Sequence, residues 1–190
     1  MSMELSTSLQ QIGLKAKSAS AILNTASCDQ KNIFFEFAIQ AIEEDSDAIL
    51  AANQLDIKAA QENNKDEAFI DRLALDTSRL QGICNTLAEI KLFDDPVGRV
   101  LASWDRPNGL NVSRVATPLG VIGLIFESRP NVAADAGGLC LKSGNAVILR
   151  SGKDGLRSAS AIVRSLQKAL KLSGLPKGCI QIVPSESREA

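Results

Sequence analysis

The sequence predicts an α/β chain of N-terminal helices, a β-hairpin and the start of a parallel sheet. Three observations carry this expectation. Apolar residues recur at three- and four-residue spacing through the first half of the chain. After Gly98 the pattern turns to period two, and the last third alternates short apolar runs with amphipathic helical stretches.

Taken in order, residues 4–26 are rich in Ala, Leu, Lys and Gln, with Leu9, Ile12, Ala16, Ala19 and Leu23 spaced for one buried helix face. Ser27 and Gln30 form an S-x-x-Q capping box before NIFFEFAIQAIEE. Asp45 and Ser46 interrupt that helix, and another is expected over 47–62. Leu80, Ile83, Cys84 and Leu87 mark a helix opened by Asp76 and Thr77. Val100 to Trp104, Arg106-Pro-Asn-Gly109 and Leu110 to Val115 read as strand, turn and strand. Then come the strand VIGLIF, the polar turn ESRPN and a small-residue helix ending at Gly144. A strand over Ala146–Leu149 and a helix over Leu156–Leu172 follow, the latter closed by Gly174 with Pro176 beyond, and Cys179–Val183 is the next strand. Gly120 and Gly123 are expected to allow close strand packing or a bend.

Composition narrows the function. A 45% hydrophobic, 23% charged chain is that of a soluble globular protein. A net charge of −1 without a basic block argues against a nucleic-acid surface. No apolar run approaches a membrane span and nothing resembles a signal peptide, so a cytoplasmic protein is expected. The four cysteines have no CxxC spacing and read as reduced core thiols. There is no histidine and no tyrosine, which excludes a Ser-His-Asp triad, a Cys-His dyad and a His-based metal site.

Polar residues gather where the two apolar strands end, the usual ligand edge of an open α/β sheet. Arg150 and Lys153 flank a helix start, where backbone N–H groups favour anions, so they are either solvated charges or an anion site with Ser151 and Gly152 between them. Glu127, Ser128, Arg129 and Asn131 form the strand-to-helix turn, with Asn131 also placed to cap the helix. Cys140, between two leucines, reads as a core thiol, and Lys142 as a partner for its own helix's C-terminal dipole. The segment Gly152–Gly155 lacks the glycine and hydroxyl spacing of a phosphate loop.

The motifs PLGVIG (118–123), ESRPN (127–131), CLKSGNAVILR (140–150) and GK (152–153), in this order, resemble the γ-glutamyl phosphate reductases of the aldehyde dehydrogenase superfamily. DRLAL, DPVG and GLP extend the resemblance more loosely over nearly the whole chain. It implies the first half of a Rossmann-like parallel sheet of the aldehyde dehydrogenase fold. On this pattern 1–98 is the helical part of the cofactor-binding domain, 99–117 an oligomerisation hairpin and 118–190 the βαβ part of the NADP-binding domain. The activity it implies is NADPH-dependent reduction of L-glutamyl 5-phosphate to glutamate 5-semialdehyde in proline biosynthesis. A homo-oligomer and the pathway's glutamate kinase are the partners it implies. The catalytic domain and its nucleophilic cysteine would lie beyond residue 190, leaving these residues alone inactive. By the same resemblance Ile125, Phe126, Glu127, Arg150, Ser151, Gly152 and Lys153 would contact cofactor, Lys153 standing where a ribose-binding glutamate is common and so favouring a 2′-phosphate. Glu127 and Arg129 would contact substrate, and Asn131 the oxyanion, although an ungapped count from Pro118 puts Arg129 at the oxyanion position. A stand-alone nucleotide-binding or assembly module, or another acyl-phosphate or aldehyde dehydrogenase of the superfamily, would carry similar residues.

Overall fold

A computed structural model describes residues 3–187. Helices α1 (Met3–Leu23), α2 (Cys28–Glu44), α3 (Ser46–Glu62), α4 (Glu67–Leu73) and α5 (Thr77–Leu92) come first. Strands β1 (Val100–Asp105) and β2 (Asn111–Val115) pair antiparallel, Trp104 opposite Val112. Then β3 (Val121–Phe126), α6 (Val132–Lys142), β4 (Ala146–Ser151), α7 (Leu156–Leu172) and β5 (Ile180–Ile182) alternate, and the three strands form a parallel sheet in the order β3-β4-β5.

Local signals set most boundaries. Ser27 accepts a hydrogen bond from the Gln30 amide at 3.1 Å, so half the capping box forms. The other half does not: the Gln30 side chain reaches across the chain to the Ser173 carbonyl at 3.1 Å, tying α2 to the end of α7. Asp66 and Asp76 cap α4 and α5 through the amides of Phe69 and Arg79. Gly144 ends the α6 segment with φ +76°, a conformation costly for any residue with a Cβ.

The sheet sorts its residues by period two. Leu124, Phe126, Val147 and Leu149 pack into the core under α6 and α7, which includes the fully buried Phe34, Phe35, Leu87, Leu141 and Leu166. Full burial of each such side chain contributes about 1.5–3 kcal/mol. Gly123 beside Ile148, and Ile125 beside Arg150, lie on the other face, where Leu9 and Ile12 of α1 leave a groove of about 290 Å³. Gly120, with φ +112°, makes the expected bend, whereas Gly123 has open space where a side chain would stand and serves no close packing.

Two buried lysines join the helical layers. Lys31, inside α2, meets Asp95 at 2.5 Å and fixes the DPVG segment ahead of the hairpin. Lys142 donates to Asn32 Oδ1 at 2.8 Å and to the Lys91 carbonyl at 2.7 Å. It therefore partners the last turn of α5, rather than the end of its own helix as its place in the sequence suggests.

Candidate functional site

The turn from Glu127 to Asn131 crosses the C-terminal edge of the sheet, where β3 and β4 end side by side with Phe126 opposite Ser151. Its geometry is constrained. Buried Ser128 takes φ +54°, an uncommon value for a residue with a Cβ and one that clusters at functional sites. The backbone is helical by Asn131 (φ −56°, ψ −30°), so this residue does not cap α6 with its side chain. Instead its amide donates to Asp135 Oδ2 at 2.9 Å, one turn on.

The turn separates two cavities. Arg129 and Asn131 open into the larger, of about 500 Å³, together with Asp135 from α6 and Asp71, Arg72 and Arg79 from around α4 and α5. Glu127 and Ser128 open into the smaller, of about 380 Å³, with Arg150, Gly152 and Lys153 from the end of β4 and the turn after it. The structure thus places Glu127 with the residues expected at the cofactor and apart from Arg129, its expected companion at the substrate. Ile125 lines the separate groove under α1, which Arg150 also reaches. Phe126 is half-buried, and its carbonyl accepts the Gly152 amide at 2.9 Å. Ser151 is buried, its hydroxyl donating to the Gly152 carbonyl at 3.0 Å.

In the larger cavity the charged groups differ in how far they are committed. Arg79 clamps the α4–α5 connection, donating to the carbonyls of Asp71 and Ala74 and to Asp71 Oδ1 at 2.6 Å. Arg129 and Arg72 have no ion pair among the described residues, although Arg72 stands 6.0 Å from the Phe69 ring centre. Burial raises the Asp135 carboxyl above its ordinary pKa, and the Asn131 hydrogen bond opposes that shift only in part.

The smaller cavity balances Lys65, Arg150 and Lys153 against Glu127, Asp154 and Glu186. Lys65 pairs with Asp154 at 3.4 Å and lies 4.6 Å over the Phe69 ring. Arg150 donates to the backbone carbonyls of Ser151 and Ser187 at 3.0 and 2.7 Å. Lys153 has no ion pair among the described residues. A side chain at Gly152 would meet Glu127 Cγ at 3.2 Å, so the glycine lets Glu127 lie across the β4 end. The start of α7 is served by a carboxylate of the chain itself. Asp56 of α3, fully buried, accepts the Ser158 amide at 2.8 Å and its hydroxyl at 2.6 Å, supplying a carboxylate from within the chain.

No family model matches the chain. It is 49% identical over 190 residues to the γ-glutamyl phosphate reductase of Brucella suis biovar 1, covering 100% of the chain and 45% of that protein. The crystal structure of γ-glutamyl phosphate reductase from Thermotoga maritima matches with a TM-score of 0.93 and 36% identity, over 95% of the chain and 44% of its own. Over nearly its whole length the chain is thus similar to γ-glutamyl phosphate reductases. It spans less than half the length of these relatives. A probable aldehyde dehydrogenase from Listeria monocytogenes, 16% identical, matches with a TM-score of 0.71 over 98% of the chain and 38% of its own, a likeness of fold alone. The expectation of an aldehyde dehydrogenase-like α/β fold is met by these neighbours and by the parallel sheet.

The sequence alone did not single out Asp71, Arg72 and Asp135 in one cavity, nor Lys65, Asp154 and Glu186 in the other. DRLAL carried a signal, since it is a charged pair inside an apolar run whose helix brings Arg72 into the cavity that Arg129 also lines. Nothing at Lys65 distinguishes it in sequence.

Proposed function

We propose that the complete gene product carrying this chain reduces L-glutamyl 5-phosphate to L-glutamate 5-semialdehyde with NADPH, releasing phosphate. The observation that carries the reading is the Glu127–Asn131 turn, which puts Arg129 and Asn131 into one cavity and Glu127 beside Arg150 and Lys153 in another. A guanidinium suits an acyl phosphate because its planar donors engage two oxygens at once. Asn131 spends one amide hydrogen on Asp135 and retains a second for an oxyanion.

The smaller cavity fits the phosphorylated ribose of a dinucleotide. Lys153 has no ion pair among the described residues, Arg150 stands at the end of β4, and Gly152 leaves room for Glu127 along that edge. When bound, the cofactor supplies the hydride. The attacking thiol comes from outside these residues, because none of Cys28, Cys84, Cys140 and Cys179 lines either cavity and the last three are buried. The hairpin supports self-association, with Val100, Trp104, Leu110 and Val115 all exposed.

The test is catalytic. With freshly generated glutamyl phosphate, the complete gene product should consume NADPH and release one phosphate per NADPH oxidised. Arg129→Ala should lower kcat/KM for the acyl phosphate by about tenfold or more, the loss of a charge-assisted contact. NADPH oxidation without phosphate release, or full activity in Arg129→Ala, would sink it.

A further inference from the structure

We infer that the larger cavity holds the amino-acid head of the substrate, Arg72 receiving its α-carboxylate and Asp135 its α-ammonium, while Arg129 faces the far end. This rests on the reductase reading and adds to it the group that selects an α-amino acid. Three observations lead there.

The cavity, at about 500 Å³, has a volume suited to a small metabolite and brings Arg72, Asp135 and Arg129 around one space. Besides the Asp71–Arg79 pair, its lining carries two guanidinium groups, Arg72 and Arg129, and one carboxylate, Asp135. A zwitterionic amino acid with an anionic far end carries the complementary set of charges, and a purely anionic ligand does not. Asp135 would repel a dicarboxylate or inorganic phosphate.

Availability is the second observation. Arg79 is held by Asp71 and two carbonyls, so it shapes the wall, while Arg72 has no hydrogen bond or ion pair among the described residues. On the acidic side, one Asn131 amide hydrogen is the partner of Asp135. A solvated acid would serve the dipole of α6 equally well, yet Asp135 is only half-exposed and faces the cavity.

The third is rigidity. Asn53, fully buried, donates to the Leu73 carbonyl at 2.8 Å and accepts from the Leu75 amide at 2.7 Å, holding the segment just after Arg72. Asp135 is fixed one turn from the strained Ser128 turn by its bond to Asn131. The two recognising groups therefore sit on supported backbone, as a specificity site requires.

Burial raises the Asp135 pKa, so its ionised form opposes folding. The stability associated with its protonated form is fully present below the unfolded pKa and is lost as pH rises through the folded one. Asp135→Asn should thus leave thermal stability at neutral pH unchanged or raised, which separates a ligand-binding loss from misfolding.

The experiment is calorimetric titration of the complete gene product with L-glutamate, glutarate (no ammonium) and 4-aminobutyrate (no α-carboxylate), with NADPH titrated into parallel samples. L-Glutamate should bind about tenfold or more tighter than either analogue. Asp135→Asn should erase the preference over glutarate and keep that over 4-aminobutyrate, and Arg72→Gln should do the reverse. NADPH should bind all three proteins alike. Equal affinity for the three ligands, no saturable L-glutamate binding, or preferences untouched by both variants would overturn the proposal while NADPH binding left the reductase reading standing. The predicted pattern without NADPH binding would support the amino-acid site and remove the cofactor assignment instead.

Discussion

Replacing Asp56 with alanine should destabilise the protein far more than removing its most visible partner. The carboxylate has no exposed surface, accepting the Ser158 amide at 2.8 Å and hydroxyl at 2.6 Å, with Arg157 at 3.3 Å on the half-exposed side. Ser158 in turn accepts from Asn53 at 3.0 Å, so one cluster joins α3, α7 and the end of α4. Each hydrogen bond to a buried charge is worth about 1.5–3 kcal/mol, giving a loss of about 3–5 kcal/mol for Asp56→Ala. In a chain of this size that is a fall in Tm of roughly 6–20 °C. Arg157→Gln should cost less than about 1 kcal/mol, because that pair is long and solvated. Urea unfolding followed by circular dichroism measures both. A loss under about 1 kcal/mol for Asp56→Ala, or an equal loss for Arg157→Gln, would refute the assignment of the stabilisation to the buried donors.

Thiol labelling near neutral pH, read by peptide mapping, should modify exposed Cys28 and spare Cys84, Cys140 and Cys179 in the native state. Burial raises the pKa of all three spared thiols, that of Cys179 to about 12, so labelling of Cys140 at the rate of Cys28 would contradict the packing of α6. Gly144→Ala should cost about 1–3 kcal/mol of unfolding free energy, through both its backbone conformation and crowding. The added Cβ would stand 2.7 Å from Pro118 Cγ and 2.9 Å from Val97 Cγ2, and a change within about 0.5 kcal/mol would mean the turn relaxes freely.

Elements whose cause is local were legible in the sequence. The α7 boundaries, Leu156–Leu172, follow from one amphipathic run ended by Gly174, and the hairpin follows from its Pro-Asn-Gly turn and period-two flanks. What depended on distant partners was not legible. The seven-residue α4 is too short to show a period, and its N-cap Asp66 looks like any loop acid. Gln30 satisfied the capping-box spacing but found Ser173 instead. Lys31 reads as a polar-face residue, and only the return of Asp95 explains its burial. At the site, the residue types around 127–131 and 150–153 were readable, whereas their division between two cavities was not. That division comes from the left-handed Ser128, which turns Glu127 and Arg129 apart. Asp135 and Arg72 stayed hidden because one lies inside a small-residue helix and the other was visible only as part of a motif.

Titrations of NADPH and NADH decide whether the smaller cavity takes the phosphorylated nicotinamide dinucleotide proposed for it. A charge-assisted contact between Lys153 and the 2′-phosphate is worth about 1.5–3 kcal/mol, or roughly ten- to a hundredfold in affinity. The complete gene product should therefore bind NADPH more tightly than NADH by that factor. Lys153→Glu should flatten or reverse the preference, and raised ionic strength should shrink it, because Lys153 is exposed. Equal affinity for the two nucleotides, unchanged by Lys153→Glu, would contradict the account.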